Sequence, residues 1–504
     1  MPETGTQPGV GAAPAAESVP EADAAPVARA AAVSPDAEVG ALPSPRSAGE
    51  PAAVPAPAVP GPWSGLRPLL LRLHFYAGVL IGPFILVAAV TGLAYTVTPQ
   101  VESILYDHEL KVTPHGGAEP LAAQVAAARR AVPGGTLVSV TKGAGPTDST
   151  RVTFDKDGLP EGYTLTAFVD PYDGEALGEL RTSGQWLPAR AWLDDLHRNL
   201  HLGDFGRNYS EIAASWLWIE VLGGLALWAG TARNRKRLRR LLLPRGGPKG
   251  RRRTLSWHGA VGLWASVGLL ALSATGLTWS AHAGAGIGRI QDSLGGSTPS
   301  VSTVLPAATG AEQGGGERRE DVGIDAVVAS AHDAGLVGVL VVTPPADADS
   351  AYTVKENTRS WPEQQDVVAV DPATGKVTHK LDFDDFPLLA KMTSWGINAH
   401  MGLLFGLANQ IVLALLALGV IGMTLWGYRM WWLRRPIRAR GLTAGRAPVR
   451  GAWRRVPGRV LAPLVVAAAV IGYYVPFFGL PLLLFVLVDV TVGAVRRRRA
   501  GVAA

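Results

Sequence analysis

The chain has no cysteine among its 504 residues. Disulfides, thiolate-bound zinc, iron–sulfur clusters and CxxCH haem attachment are therefore excluded. Charge is scarce as well: 17% of residues are Asp, Glu, Lys or Arg, against about 25% in a typical soluble protein. The sequence has no Walker, HExxH or GxSxG motif, so it lends no support to ATP-driven transport or to the common hydrolytic chemistries. GAGIGRI at 284–290 lacks the third glycine of a dinucleotide fingerprint and follows an apolar run instead of a strand, and is rejected as one. What is abundant is apolar surface, at 48% hydrophobic residues with a positive mean hydropathy. The composition is that of a membrane protein.

Crossing roughly 30 Å of hydrocarbon takes about 20 apolar residues in a helix. Candidate runs are Leu69–Val97, Ile212–Gly230, Trp257–Trp279 and Ile397–Trp426. A longer block, Val460–Val495, is interrupted by Pro476, Gly479 and Pro481 and reads as a tight hairpin of two short helices. Six spans are expected. Lys and Arg crowd 231–256, 429–459 and 496–504, all on one side of that arrangement. This marks the cytoplasmic face by the positive-inside rule, puts both termini there, and explains the basic runs without nucleic acid. The expected organisation is a disordered Ala/Pro-rich cytoplasmic tail (1–62), span 1 (63–97), an outer module (98–196), span 2 (197–230) and a basic loop (231–256). Span 3 (257–279), a second outer module (280–396), span 4 (397–428), a basic loop (429–459), the hairpin (460–495) and a basic tail (496–504) follow. Each outer module reads as a helix and then alternating strands, ending in VDPYDGEALGEL or VDPATGKVTHKL, with an Asp-Pro…Gly turn between the last two strands. The fold class is thus a mainly α-helical membrane bundle carrying two small α+β modules.

The halves are a tandem repeat. LRLHFYAGVLIGPFILVAAVTGLAYT aligns with LSWHGAVGLWASVGLLALSATGLTWS, matching His74 to His258, Gly78 to Gly262 and Thr91-Gly92 to Thr275-Gly276. LHRNLHLGDFG aligns more weakly with AHMGLLFGLAN, matching His197 to His400 and Gly203 to Gly406. His74 and His258 fall at the cytoplasmic ends of their spans, and His197, His201 and His400 at the outer ends, so five of the ten histidines form two layers. A lone histidine at a span end is ordinarily an interfacial residue. A paired, repeat-related set points instead to axial ligation of haem iron, for which neutral imidazole is well suited. His201 follows His197 by four residues, so either could be the outer ligand if both lie on one helix face. Glu220 falls mid-span, where a carboxylate is expensive, and is a candidate proton site or a packing residue.

LHFYAGVLIGPFILVAAVTGLAY with PQVESILY, DLHRNLHLGDFGR, AHMGLLFGLANQ with GYRMWW, and the late PxxGxPLLLFVLVD together resemble the PepSY-associated transmembrane family. That family includes iron-regulated membrane proteins and ferric-siderophore reductases. The resemblance covers about 65–495 and likens the outer modules to PepSY domains. It implies two b-type haems on His74, His197, His258 and His400, and reduction of ferric iron at an outward site. The expected protein is a cytoplasmic-membrane, haem-dependent electron-transfer oxidoreductase for iron uptake. It would sit in the lipid bilayer, take electrons from an unidentified donor and reduce a ferric siderophore or other ferric chelate. Two alternatives stand beside it: a metal or siderophore permease, and a membrane-anchored PepSY sensor or protease regulator without redox activity.

Overall fold

The computed structural model describes residues 62–232, 242–244, 249–305, 320–435, 445 and 447–502. The expected tail up to residue 61, and parts of both basic loops, lie outside the described residues. Helices α1 (Pro62–Leu80) and α2 (Gly82–Tyr95) are followed by α3 (Thr98–Leu105), α4 (Asp107–Leu110) and α5 (Leu121–Ala131). Strands β1 (Thr136–Lys142), β2 (Thr150–Asp155), β3 (Thr164–Val169) and β4 (Ala176–Thr182) come next, then α6 (Pro188–Asn199) and α7 (Gly203–Ala232). The second half runs α8 (Arg251–Thr278), α9 (His282–Ser293), α10 (Ile324–Asp333), β5 (Leu340–Thr343), β6 (Tyr352–Glu356), β7 (Val367–Val370) and β8 (Val377–Leu381). Helices α11 (Leu388–His400), α12 (Gly406–Trp432), α13 (Gly458–Tyr474) and α14 (Pro476–Val502) complete it.

Among the described residues, four helices are long and apolar enough to cross a membrane: α7, α8, α12 and α14. A fifth crossing is made if α1 and α2, bent by 58° at their junction, count as one span. The bend falls at Gly82-Pro83, where proline removes an amide donor and its ring clashes with the preceding turn. Six were expected; the remaining apolar helix among the described residues, α13, is shorter than these, at 17 residues. Instead of two short helices, the late block divides at Val475 into a short helix and a long one. They cross where Gly472 and Gly479 face one another: a Cβ on Gly472 would stand 2.9 Å from the Gly479 Cα.

The two expected outer modules are a single body. The eight strands among the described residues form one antiparallel sheet in the order β4-β3-β2-β1-β5-β6-β7-β8. Its halves join where β1 pairs with β5, Val140 opposite Val342 and Thr141 opposite Val341. Unpaired, β1 and β5 would each leave a row of amides and carbonyls without partners, and pairing across the repeat removes both edges. Helices α5 and α10 cover one face, enclosing Ala128, Val140, Phe154, Val327, Ala331 and Val354 in one core. Asp325 of α10 accepts hydrogen bonds from the Leu121 and Ala122 amides at 2.6 and 3.1 Å. One repeat thereby caps the first turn of the other's helix. The Asp-Pro…Gly turns form as the sequence suggests: Asp170 accepts the Tyr172 amide and Asp371 that of Ala373, each at 2.8 Å.

Helices α6 and α11 carry the chain from the sheet to the bundle. Spans expected at 197–230 and 397–428 both break near their start. Leu200 and His201 adopt left-handed backbone, and Gly203 and Gly406 have φ of +56°, so α7 and α12 begin only after a turn. His197 and His400 therefore lie on the helices that precede the spans.

Candidate functional site

At the sheet end of the bundle, His197 near the C-terminus of α6 faces His400, the last residue of α11, with ring centres 6.4 Å apart and ring planes at 52°. At the basic end, His74 of α1 faces His258 of α8 at 6.3 Å and 77°. These distances have a chemical reading. Two imidazoles this far apart could each reach a metal ion held between them, at metal–nitrogen bonds of about 2.0 Å. Among the described residues no three His, Asp or Glu side chains converge as a metal cluster. Each pair offers two imidazole donors.

The imidazole orientations follow from their partners. His197 Nδ1 lies 2.9 Å from Thr91 Oγ1, and His400 Nδ1 lies 2.6 Å from Thr275 Oγ1. Each threonine hydroxyl already donates to its own helix, to Val87 O and Ala271 O at 2.9 Å. It therefore accepts from Nδ1–H, which leaves Nε2 with the free lone pair. At the basic end, His258 Nδ1–H donates to the Met423 carbonyl at 3.0 Å, with the same consequence. His74 Nδ1 stands 2.7 Å from the Glu220 carboxylate in an ion-pair contact. A ligating imidazole characteristically has an acceptor for its second nitrogen; His197, His258 and His400 meet that requirement by hydrogen bonds, and His74 has its ion-pair contact with Glu220 in that place.

Each pair sits in its own cavity. The sheet-end cavity, about 570 Å³, is lined by Gly92, Tyr95, Trp279 and, at its polar side, Arg198, Arg207 and Arg359. The basic-end cavity, about 1030 Å³, is lined by Gly78 and Gly262 and by Arg67, Arg251, Arg252 and Arg434. Both lie in or near the range usual for bound cofactors, about 300–1,000 Å³. Glycine matters most at Gly92, where a Cβ would come within 3.1 Å of His197 Cε1 and push the ring aside. Ile85, Leu217, Leu269 and Val420 line both cavities and form an apolar layer between them. The paired imidazoles, apolar walls and cationic rims fit two haems, with the arginines suited to propionate carboxylates.

In the lining of the sheet-end cavity, the Trp186 ring meets the guanidinium groups of Arg190 and Arg359 at 4.9 and 4.8 Å. Arg190 also pairs with the buried Glu102 at 2.8 Å. Burial raises the Glu102 carboxyl above its ordinary range, with Arg190 opposing, and lowers Arg359.

His201 is not brought to the pair. Because α6 ends at Asn199 and both Leu200 and His201 turn left-handed, the expected shared helix face with His197 does not exist. His201 is exposed, packed on Trp192 at 4.8 Å. His282 bonds Asn208 at 3.3 Å outside both cavities, and GAGIGRI lies in α9. Sequence reasoning missed the two threonines as imidazole partners, although Thr-Gly stood in register in both repeats. It also missed the Met423 carbonyl, the partnership of Glu220 with His74, and the dividing apolar layer, none of which carries a local signal.

No curated protein gives a significant match to this sequence. Residues 71–434 match the PepSY-associated TM region, a stretch well over half of the chain that takes in all four paired histidines and the whole sheet. The chain belongs to the PepSY-associated TM region family.

Proposed function

We propose that this protein is a di-haem b electron-transfer protein of the cytoplasmic membrane that reduces a ferric chelate, a ferric siderophore being the favoured acceptor. The observation that carries the reading is the pair of imidazole couples at 6.3 and 6.4 Å, every Nδ1 facing an acceptor and so leaving Nε2 to the metal. Haem bound there would supply one-electron chemistry at iron, with its potential set by axial ligands and burial. The chain's own part is to hold the four rings, to keep water from them with the walls of the two cavities, and to separate the two sites by the Ile85–Leu217–Leu269–Val420 layer. The basic segments favour an orientation with His74 and His258 towards the cytoplasm and the sheet outside. At 17 residues, α13 extends about 25 Å, which suits a sixth crossing and both termini in the cytoplasm. Arg198, Arg207 and Arg359 give the sheet-end opening an attraction for anions. The acceptor class comes from the family resemblance: one electron converts Fe(III) to Fe(II), which hard oxygen ligands hold more weakly.

The test is spectroscopic. Purified full-length protein is expected to show a Soret band that shifts on dithionite reduction, with two haems per chain. His74→Ala or His400→Ala is expected to remove about half. A ferric chelate is expected to reoxidise the reduced protein. Colourless, folded protein would overturn the haem reading, and failure of every ferric chelate would overturn the acceptor.

A further inference from the structure

The two repeats part company at one position beside the basic-end pair. The offset that relates His197 to His400 carries Glu220 onto Met423, and the contacts obey this correspondence. A Cβ on Gly78 would stand 3.9 Å from Glu220 Oε2, and a Cβ on its mate Gly262 would stand 3.1 Å from Met423 Sδ. Both side chains therefore face the glycine one turn beyond the histidine. Position 220 meets His74 Nδ1 with a carboxylate at 2.7 Å, whereas position 423 meets His258 Nδ1 with a main-chain carbonyl at 3.0 Å. At the sheet end the repeat is kept, with threonine at both imidazoles. Of the four rings, His74 alone has a carboxylate at Nδ1 among the described residues. Glu220 Oε1 and His74 Nδ1 are both buried without a hydrogen-bond partner, so the carboxylate and the ring meet as an ion pair through Oε2.

We propose that Glu220 is a positioning residue that makes the two centres unequal, holding the iron at the basic end at a lower potential than the iron at the sheet end. This rests on the haem reading above. A carboxylate next to a ligating imidazole raises the basicity of the ligand. A stronger donor stabilises Fe(III) relative to Fe(II), which lowers the potential, and a low-dielectric site enlarges the effect. Neutral threonine hydroxyls do this less. The resulting order runs downhill from the basic end to the sheet end, the direction that reduction of an outside acceptor requires. The same position explains why an expensive mid-span carboxylate occurs in one repeat and not in the other.

Potentiometric titration of the full-length protein in detergent, followed in the Soret region, tests this by resolving two midpoints. His74→Ala is expected to abolish the lower one. Glu220→Gln, which keeps the size of the side chain, is expected to raise the lower midpoint and leave the upper one in place. Glu220→Met, which makes the halves alike, is expected to bring the two closer together. Thr275→Val is expected to move only the upper midpoint. The proposal is overturned if protein retaining both haems shows an unmoved lower midpoint in both Glu220 variants, if the two midpoints move together, or if His74→Ala removes the upper one. A wild-type preparation without haem absorbance would sink the ligation scheme itself, a result distinct from red protein with unmoved midpoints.

Discussion

Thr275 sets the orientation of His400: its hydroxyl lies 2.6 Å from Nδ1 of the imidazole while it donates to Ala271 O one turn back in α8. Thr91 repeats the arrangement for His197 in the other half. A hydroxyl that has spent its single proton on the backbone can only accept from the ring, so one threonine dictates which nitrogen is free.

Replacing either threonine by valine keeps the volume and removes the acceptor, leaving a buried N–H unpaired at a cost of about 1–3 kcal/mol. Loss of such a partner typically weakens metal binding by about 10–100-fold. Thr91→Val and Thr275→Val are therefore expected to lower haem retention at the sheet end alone. Haem titration of the stripped protein checks this, and unchanged affinity would remove the threonines from the site.

His201 and His197 are separated by the left-handed turn at residues 200 and 201. His201→Ala is expected to leave haem content and both midpoints as in the wild type, whereas His197→Ala loses one haem. Gly92→Leu, which drives a side chain into the His197 ring, is expected to copy His197→Ala. Absorbance per chain distinguishes the three variants; loss of a haem in His201→Ala would reinstate that residue as a ligand.

Asp489 of α14 pairs with Arg72 of α1, whose side chain is 3% exposed, and also lies 3.5 Å from Arg450. Arg72 donates to Pro448 O as well and stacks its guanidinium on Tyr76 at 4.7 Å. Asp489→Ala strands a buried guanidinium, and breaking such a pair costs about 3–5 kcal/mol. The variant is expected to melt well below the wild type in detergent. Combining it with Arg72→Met is expected to restore part of the loss, as a double-mutant cycle would show.

Asp325 joins the halves of the sheet domain through the Leu121 and Ala122 amides. Asp325→Ala is expected to cost about 0.5–2 kcal/mol, the range for losing a helix cap. Hydrogen exchange at these two amides is expected to quicken while Val140 at the β1–β5 seam stays protected.

Much of this protein was legible in the order of its residues. Apolar runs, strand alternation, Asp-Pro…Gly turns and the register of His74 with His258 and His197 with His400 are all written locally, because period, composition and spacing act within a few turns of chain. Contacts between distant segments were not. The pairing of β1 with β5 depends on two strands about 200 residues apart, and neither strand alone says whether its edge stays open. The exclusion of His201 rests on two left-handed residues that are not glycine and so carry no signal. The unequal division of the late hydrophobic block reflects helix-breaking residues whose effect depends on where each helix starts. The sequence by itself determined that this is a repeated, histidine-bearing membrane protein. Tertiary structure alone decided which imidazoles face each other, and that His74 meets a carboxylate where His258 meets a carbonyl, because those choices are made by packing between helices and not within them.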